Sequence, residues 1–456
     1  MNMRAYLDSL RGKTVAVIGI GVSNTPLVKL LCREGISVTA CDRRSRADLG
    51  ELAGELEGAG AALQLGDGYL ENLTQDVIFR TPGLRPDVPQ LREAVARGSV
   101  LTSEMEEFFH VCPCPIIAVT GSDGKTTTTT IIAELLRAAG KTVHVGGNIG
   151  HPLLCEAGEM AQTDWAVLEL SSFQLMTMDL SPHIAVMTNL APNHLDVHKS
   201  MEEYIAAKEN VYLHQSPSGK LVVNMDNAIT HSFVGKAKGR VEEFSRFGIP
   251  ENGVYLQDGT IYRNGKKIMD AADIRIPGVH NIENYMAAAC AVEGFASDAD
   301  IDAVACSFGG VEHRIELVRE LDGVRYYNDS IASSPTRTIA GLHSFDRRVI
   351  LIAGGYDKHI PFDALGPEIC AHVRLLILCG ATADKIRAAV EGAPEYAKGQ
   401  PEIVTVQSLG DAVELAHMRA QRGDIVTLSP ACAAFDQFKN FMVRGESYKK
   451  MVAALK

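Results

Sequence analysis

The chain has 456 residues, of which 46% are hydrophobic and 22% are charged, as in an ordinary globular protein. Its 44 basic and 56 acidic side chains give a formal charge of −12, which excludes a general electrostatic attraction to nucleic acid or to anionic membranes. No apolar run reaches the roughly 18 residues of a transmembrane helix, and the polar N-terminus does not resemble a signal peptide.

Strand and helix patterns alternate along the chain. Residues 13–20 form an apolar run typical of a strand, and a glycine-rich turn, a helix pattern and a second strand ending at Asp42 follow. At about 150 residues per domain, the successive strand–helix blocks predict three α/β domains with mainly parallel sheets. We expect a Rossmann-like domain over 1–103, a central P-loop ATPase-like domain over 104–310 and a C-terminal Rossmann-like domain over 311–456. The glycine-rich segment 235–275 predicts hairpins.

The strongest local signal is a glycine-containing loop between a predicted strand and a predicted helix. Glycines let backbone N–H groups turn toward phosphate oxygens, and the helix N-terminus adds partial positive charge. Lys125 is placed to reach the β- and γ-phosphates, and Thr126 to offer its hydroxyl to Mg²⁺. Val119 stands where a strict Walker A motif has its first glycine, so a plain strand-to-helix turn is the alternative. The predicted nucleotide loop is Gly121, Ser122, Asp123, Gly124, Lys125, Thr126 and Thr127.

Two polar residues beyond the loop, Glu169 and His194, are candidate metal ligands, and a third, Lys208, occupies an unusual position. Glu169 and His194 follow predicted strands, and ligands of open α/β sheets gather at the carboxyl ends of strands. A carboxylate suits Mg²⁺ better than an imidazole does, and a helix cap or a surface group is the alternative for either residue. Lys208 falls on the apolar face of a predicted helix, where a lysine snorkels, pairs or loses its proton, snorkelling being the usual outcome. The same face carries Met201, Tyr204, Ile205, Val211 and Tyr212.

The first block carries part of a dinucleotide-binding fingerprint. Gly19 and Gly21 follow a strand, and Asp42 lies about twenty residues further on. Asn24 replaces the third glycine of the fingerprint. The pattern alone is a weak indication of NAD binding, so an NAD(P)-dependent oxidoreductase stays open as an alternative.

Taken together, the motifs resemble the Mur ligase family, in family order and over about residues 90–456. The segments LELSSFQL, NDS and SPACAAFDQFKNF resemble the branch that adds D-glutamate to UDP-N-acetylmuramoyl-L-alanine. The resemblance implies an ATP-dependent amide ligase of peptidoglycan precursor synthesis that works through an acyl phosphate. The motifs are GKT (124–126), GGNIG (146–150), LELSSFQL (168–175), NHLD (193–196), AAK (206–208), HNIEN (280–284), EHRIE (312–316), NDS (328–330) and SPACAAFDQFKNF (429–441).

The resemblance implies roles for residues around ATP, with residues 121–127 holding its phosphates. Thr126 and Glu169 would share one Mg²⁺. His194 would bind a second together with Lys208, which in this family resembles a position carbamylated by CO₂ and so becomes an oxygen ligand. The expected catalytic residues are Lys125, Glu169, His194, Lys208 and Arg314. Further ATP contacts are expected from Asn281, Asn284, Arg314 and Asp329, with helix capping as the alternative for Asn281.

The resemblance also implies two other substrate sites. Two positions depart from some relatives, because Ala434 stands where they have serine and Ile331 stands where they have lysine. The hydroxyl contact of that serine with the substrate carboxylate would be missing here. The expected UDP-substrate residues are Val22, Ser23, Asp42, Arg43, Thr81, Asn148 and Ser171. The expected D-glutamate residues are Ser333, Lys358, Ala434, Phe435 and Phe441.

Composition and resemblance together predict small-molecule partners. Ten cysteines without a CxxC pair, in a chain with no sign of secretion, favour reduced thiols in the cytoplasm and no zinc site. We expect a monomer that uses ATP, two Mg²⁺ and the Lys208 carbamate, with UDP-N-acetylmuramoyl-L-alanine and D-glutamate as substrates and with no nucleic acid or membrane as partner. Folylpolyglutamate synthase, another Mur ligase and a non-catalytic nucleotide-binding regulator are the alternatives.

Overall fold

The computed structural model describes residues 1–192 and 197–456 of the chain. Contacts between residues divide this part of the chain into two units, each with its own apolar core. The first unit consists of Met1–Ala271 and Glu283–Val304, and the second consists of Ala272–Ile282 and Ala305–Lys456. Of the three sheets formed by the described residues, two lie in the first unit and one lies in the second.

The first sheet is five-stranded and parallel. Its elements are α1 Met3–Leu10, β1 Thr14–Ile18, α2 Asn24–Arg33, β2 Ser37–Asp42, α3 Arg46–Leu49, α4 Glu51–Gly58, β3 Ala62–Leu65, β4 Val77–Phe79, α5 Pro89–Ala96 and β5 Val100–Thr102. β1 forms where a largely β-branched apolar run buries four of its five residues. In the strand order β3-β2-β1-β4-β5, the chain proceeds outward in one direction from β1 to β3 and in the other direction from β4 to β5. Ligands of such sheets bind at this switch point, between β1 and β4.

The second sheet has nine strands and is separate from the first. Its elements are α6 Glu104–Val111, β6 Ile116–Thr120, α7 Lys125–Ala138, β7 Val143–Gly147, β8 Trp165–Glu169, α8 Ser172–Leu175, β9 Ile184–Met187, α9 Met201–Leu213, β10 Lys220–Asn224, α10 Ala228–His231, β11 Arg240–Ser245, β12 Gly253–Gln257, β13 Thr260–Arg263, β14 Lys266–Asp270, α11 Val279–Ala291 and α12 Asp298–Ser307. The order is β14-β13-β12-β11-β10-β9-β6-β8-β7. β6 lies between β8 and β9 with parallel pairing on both sides, so the ends of these three strands meet at one edge.

The third sheet has six strands. Its elements are β15 Glu316–Leu321, β16 Val324–Asn328, α13 Pro335–Leu342, β17 Val349–Ala353, α14 Leu365–His372, β18 Val373–Leu378, α15 Ala383–Glu391, β19 Glu402–Thr405, α16 Leu409–Arg419, β20 Ile425–Leu428 and α17 Phe441–Ala454. The order is β15-β16-β20-β17-β18-β19. β20 pairs in parallel with β16 and β17, so the loops after these strands lie side by side.

The prediction of mainly parallel α/β sheets is confirmed. The hairpins expected over 235–275 are present as the antiparallel pairs β12–β13 and β13–β14. The antiparallel edge pair β15–β16 was not expected. Among the described residues, no helix is both long enough and apolar enough to span a bilayer.

Candidate active site

A glycine-rich turn joins β6 to α7 and forms the candidate phosphate loop. Gly121 and Gly124 have φ angles of 150° and 78°, in the range that favours glycine. A Cβ atom on Gly124 would lie 2.5 Å from Asn284 Oδ1, and one on Gly121 would lie 1.9 Å from Thr188 Oγ1. Both positions therefore require glycine for space as well as for torsion. α7 begins at Lys125, so the N–H groups of its first turn lie at this loop.

Residues that follow β9 brace the phosphate loop. The backbone N–H groups of Asp123 and Ser122 donate to Asn189, to its Oδ1 and its carbonyl respectively, at 2.9 Å each. Thr188 Oγ1 donates to the Asp123 carbonyl at 2.5 Å, and the hydroxyls of Ser122 and Tyr204 lie 3.0 Å apart. The sequence analysis missed Thr188 and Asn189, and it placed Tyr204 on the apolar helix face without a role at the loop. Their position in the sequence could have indicated a role, because Thr188 and Asn189 directly follow a buried strand, at the sheet edge where ligands bind.

Thr126, Glu169 and Asn148 form a hydrogen-bonded group beside the loop. Thr126 Oγ1 donates to Glu169 Oε2 at 2.7 Å, and Asn148 Nδ2 donates to Glu169 Oε1 at 2.6 Å. Glu169 is buried at the end of β8. Asn148, expected to orient the UDP substrate, here directs this carboxylate. Lys125 Nζ donates to the Ser122 carbonyl at 2.9 Å, so predicted phosphate and metal residues meet at one edge of the second sheet.

Lys208 lies inside the protein next to this group. It is 1% exposed, and its Nζ donates to Thr120 Oγ1 at 3.0 Å and to the Gly121 carbonyl at 2.9 Å. Burial lowers the pKa of the amine well below its usual value, the charge of Lys125 lowers it further, and the charge of Glu169 opposes both. Lys208 therefore does not snorkel, and its expected inward position on the helix is confirmed.

α9 carries Lys208 and is held at its N-terminus. Ser200 caps the helix by accepting the backbone N–H of Glu203. The Glu203 carboxylate accepts two hydrogen bonds from the Arg85 guanidinium, at 2.7 and 3.1 Å, which ties α9 to the segment after β4. His194, the expected second metal ligand, belongs to residues 193–196 and lies outside the described residues, so its role stays a prediction.

Asp42 lies at the end of β2, where the UDP substrate was expected. Its Oδ2 accepts the N–H of Ile20 at 2.6 Å, and its Oδ1 accepts the N–H and Nε of Arg44 at 2.9 and 3.0 Å. Burial pushes the pKa of the Asp42 carboxyl up, but the hydrogen bonds from Arg44 and Ile20 outweigh burial and hold the pKa below its usual value. Arg43, which was predicted, is exposed, and the sequence analysis missed its neighbour Arg44.

The turn after β1 explains why the third fingerprint glycine is absent. Asn24 is buried, and its Nδ2 donates to two carbonyls of the preceding turn at 3.0 Å each. Gly19 has a φ angle of 86°, and a Cβ on it would lie 2.8 Å from the Cβ of Thr81. Val22 is 80% exposed and Ser23 is partly exposed. The turn thus brings Thr81 to β1 and leaves the predicted Val22 and Ser23 accessible.

Ser171 and a buried arginine link this region to α8. Ser171 caps α8, because its hydroxyl accepts the N–H of Gln174 at 3.3 Å while Gln174 Oε1 accepts the N–H of Ser171 at 2.9 Å. Arg80 is fully buried and donates to an α8 carbonyl at 3.1 Å and to Thr177 Oγ1 at 2.7 Å. Arg80, which the sequence analysis missed, therefore anchors the loop 81–83 to the helix that follows Ser171.

Asn281 and Asn284 make different contacts. Asn284 Oδ1 accepts the Thr128 hydroxyl at 3.1 Å and closely approaches Gly124, so it belongs to the phosphate loop. Asn281 lies in the second unit, and its Nδ2 donates to the Pro277 carbonyl at 2.6 Å. This bond joins the first turn of α11 to the carbonyl four residues earlier. It is not an N-cap contact, so both the capping role and the ATP role of Asn281 stay predictions.

Asp329 is a buried carboxyl at the end of β16. Its Oδ2 accepts the Ser429 hydroxyl at 2.7 Å, and its Oδ1 accepts the N–H of Ile315 at 3.4 Å. Burial raises the pKa of Asp329 to about 7, against these hydrogen bonds and the nearby charge of Arg314. Arg314 and Asp329, both predicted to contact ATP, therefore interact electrostatically.

Four of the five residues expected to bind D-glutamate lie in loops of the third sheet, and the fifth, Phe441, begins α17. Lys358 Nζ donates to the Ser333 carbonyl at 3.4 Å. Phe435 is 62% exposed, and its ring centroid lies 5.8 Å from that of Tyr356. The structure thus brings Ser333 and Lys358 together and leaves Phe435 accessible to a ligand.

Ala434 and Phe441 complete this set. Ala434 is buried and presents only a methyl group. Phe441 is the first residue of α17, and its ring centroid lies 6.0 Å from that of His313. The two phenylalanines expected in one pocket therefore contact different aromatic partners, Tyr356 for Phe435 and His313 for Phe441.

The fold is that of an α/β protein with a candidate phosphate loop, and two family models match the chain. The "Mur ligase middle domain" matches residues 119–292, and the "Mur ligase, glutamate ligase domain" matches residues 313–432. The chain is 50% identical over 455 residues to UDP-N-acetylmuramoylalanine–D-glutamate ligase of Clostridium botulinum (strain 657 / Type Ba4). The alignment covers 100% of this chain and 99% of the relative. The chain is 52% identical over 457 residues to the protein of the same name from Acetivibrio thermocellus, covering 99% and 98%. The chain belongs to the Mur ligase family.

Solved structures show the same fold. UDP-N-acetylmuramate-alanine ligase from Thermotoga maritima aligns over 97% of this chain and 100% of that chain, with a TM-score of 0.57 and 16% identity. UDP-N-acetylmuramoyl-L-alanyl-D-glutamate–2,6-diaminopimelate ligase aligns over 92% and 93%, with a TM-score of 0.57 and 18% identity. At these identities the likeness concerns the fold alone.

Proposed function

We propose that the chain is an ATP-dependent ligase that adds D-glutamate to UDP-N-acetylmuramoyl-L-alanine in peptidoglycan precursor synthesis. The observation that carries this proposal is the group at the phosphate loop, where Thr126 meets Glu169 and the buried amine of Lys208 meets the loop backbone. The names of relatives that are 50% and 52% identical supply the two substrates.

The donor set at the loop suits Mg²⁺. The Thr126 hydroxyl and the Glu169 carboxylate are oxygen donors 2.7 Å apart, and Mg²⁺ prefers oxygen ligands. These two residues would hold one ion, and a carbamylated Lys208 with His194 would hold a second. Bound Mg²⁺ would supply positive charge to the phosphate oxygens of ATP.

The surroundings of Lys208 suit carbamylation. A neutral amine has two N–H donors, and Thr120 Oγ1 and the Gly121 carbonyl accept them. Thr120 Oγ1 can accept because its own proton goes to the Leu170 carbonyl at 2.8 Å. The nitrogen lone pair can then bond to the carbon of CO₂. The nitrogen loses one proton, and the product is a carbamate. The resulting negative charge is attracted to the ammonium of Lys125, which would repel a protonated Lys208.

The proposed reaction has two steps. The carboxylate of the UDP substrate attacks the γ-phosphate of ATP, which gives an acyl phosphate and ADP. The amine of D-glutamate then attacks the acyl carbon, and phosphate leaves. In the first step Lys125 and the N–H groups at the start of α7 stabilise negative charge on the phosphates, and in the second Lys358 pairs with a carboxylate of D-glutamate.

We further propose three domains, 1–103, 104–310 and 311–456, in a cytoplasmic monomer. Each range holds the strands of one of the three sheets. The first would bind the UDP substrate, the second ATP and the third the amino acid.

Product analysis tests this function. The protein is incubated with ATP, Mg²⁺, UDP-N-acetylmuramoyl-L-alanine and one amino acid at a time, and the nucleotide product is detected by mass spectrometry. We expect the mass of one added glutamate with D-glutamate and no product with L-glutamate or L-alanine. Product with an L-amino acid and none with D-glutamate would assign the chain to another branch of the family.

A further inference from the structure

Arg444 lies in the first turns of α17 and is 4% exposed. Its Nε donates to Ser330 Oγ at 3.0 Å, and its Nη2 donates to the Ser330 carbonyl at 2.9 Å. Nη2 and Nη1 donate to the carbonyls of Cys432 and Ala433 at 3.0 and 3.1 Å. Ser330 Oγ in turn donates to the Phe441 carbonyl at 2.8 Å. One guanidinium therefore holds two loops and the start of a helix together.

These segments carry the residues that are candidates for binding the amino-acid substrate. Ser333 follows Ser330 by three positions, and the pair 434–435 directly follows the carbonyls that Arg444 holds. The segment that leads to Lys358 packs on the same group, because a Cβ on Gly355 would lie 2.4 Å from the Ala433 carbonyl oxygen and 3.2 Å from Arg444 Nη1. A displacement of the guanidinium would therefore move several of the candidate amino-acid residues together.

The chemistry at position 444 requires arginine. A guanidinium has five N–H donors in a rigid fork, and four hydrogen bonds converge on it here, whereas a lysine has three donors on a point charge. Burial lowers the pKa of Arg444 to about 10, while Cys432 and Asp436 favour its charged form. The group stays charged at neutral pH, and the four acceptors described above are neutral oxygens.

We infer that Arg444 is the positioning residue of the amino-acid site, holding segments 330–333 and 432–435 in the arrangement that binds a dicarboxylic amino acid. This inference rests on the proposed function and deepens it. Arg444 acts through the loops and not by direct contact with substrate, so its loss should affect one substrate selectively.

Steady-state kinetics of the full-length Arg444→Lys protein test the inference. We expect the KM for D-glutamate to rise about tenfold or more, because four oriented hydrogen bonds are disrupted. The KM for ATP should change much less, because the phosphate loop is built elsewhere and the neighbouring Asp329 is held by Ser429 and Ile315 and not by Arg444. Guanidinium ions should partly restore the D-glutamate KM of Arg444→Ala. The matched control is Arg319→Lys, because Arg319 also holds three carbonyls of the α17 region, those of Val452, Ala453 and Leu455, but at the far end of the helix.

Several outcomes would overturn the inference: equal rises in both KM values, an unchanged D-glutamate KM, or the same selective rise in Arg319→Lys. Circular dichroism checks folding. If Arg444→Lys does not fold, Ser330→Ala removes one acceptor and should give a smaller selective rise, and an unchanged D-glutamate KM in that variant would also overturn the inference. A wild-type protein that makes no product with D-glutamate would refute the proposed function, which is a separate result.

Discussion

The phosphate loop and the amino-acid loops are built in different ways. The phosphate loop is a run of seven residues, 121–127, whose shape comes from two glycine torsions and the start of a helix. The amino-acid loops come from segments 330–333 and 432–435, which a buried arginine holds together, and from segment 355–358, whose Gly355 packs against them. Substitutions in the first region should therefore act on phosphate charge and turnover. Substitutions in the second should act on the position of one substrate and change its KM.

Removing the loop lysine should have the largest effect. We expect Lys125→Ala to lower kcat by about 100-fold or more, because a cation aimed at the developing phosphate charge is lost, with no change in the melting temperature beyond a few degrees. Phosphate release under saturating substrates measures this. Lys141→Ala, an exposed lysine just after α7, is the control, and near-wild-type turnover of Lys125→Ala would remove the phosphate-loop assignment.

Removing the buried lysine should be nearly as severe. We expect Lys208→Ala to lose most of its activity, since the proposed oxygen ligand disappears, and formate or acetate should restore part of it by filling the space. Lys208→Arg should not be restored, because the guanidinium occupies that space. Rates are measured with and without added formate in both variants. Equal responses to formate in the two variants, or a fully active Lys208→Ala protein, would contradict the carbamate proposal.

A single change in the amino-acid loops should be selective and smaller. We expect Lys358→Ala to raise the KM for D-glutamate roughly tenfold to 100-fold, because a charge-assisted hydrogen bond to a carboxylate is lost, and to leave the KM for ATP nearly unchanged. The exposed Lys398 offers a matched control in the same unit. If both KM values of Lys358→Ala rose alike, the contrast between the two regions would fail.

The last expected effect acts on stability and its dependence on pH, and not on turnover or KM. Burial raises the pKa of Asp329 to about 7 from an ordinary value of 3.8, so this carboxyl stabilises the fold fully only below pH 3.8, and its contribution is lost as pH rises through about 7. The loss is at most roughly 4 kcal/mol. Asp329→Asn cannot ionise, so its melting temperature relative to wild type should be higher at pH 8 than at pH 5. The exposed Asp363→Asn should show no such difference, and a pH-independent difference for Asp329→Asn would contradict the assignment.

The features that sequence alone predicted are those set by residues close together in the chain. The order strand, glycine turn and helix predicted the phosphate loop, and helical periodicity placed Lys208 on an inward face. Both predictions rest on residues close together in the chain. The mainly parallel sheets followed from alternating strand and helix patterns in the same way.

The contacts that sequence did not reveal join distant segments. Asn189 supports a loop 66 residues away, and Arg444 bonds Ser330 across 114 residues. A lone asparagine after a strand, or an arginine on a helix, has many ordinary roles, and its partner appears only once the sheets are assembled. For Asn148 and Ser171 the family motif predicted that the residues matter, but it did not predict their hydrogen bonds. The structure shows that Asn148 bonds Glu169 and that Ser171 bonds Gln174.

Isotope transfer tests the central claim, activation of a carboxylate on the γ-phosphate of ATP, most directly. UDP-N-acetylmuramoyl-L-alanine labelled with ¹⁸O in its carboxylate is incubated with the protein, ATP, Mg²⁺ and D-glutamate, and the released phosphate is analysed by mass spectrometry. An acyl phosphate breaks at its carbonyl carbon when the amine attacks, so the phosphate should carry one oxygen from the carboxylate. Released phosphate without ¹⁸O, alongside normal formation of the glutamate adduct, would contradict the account.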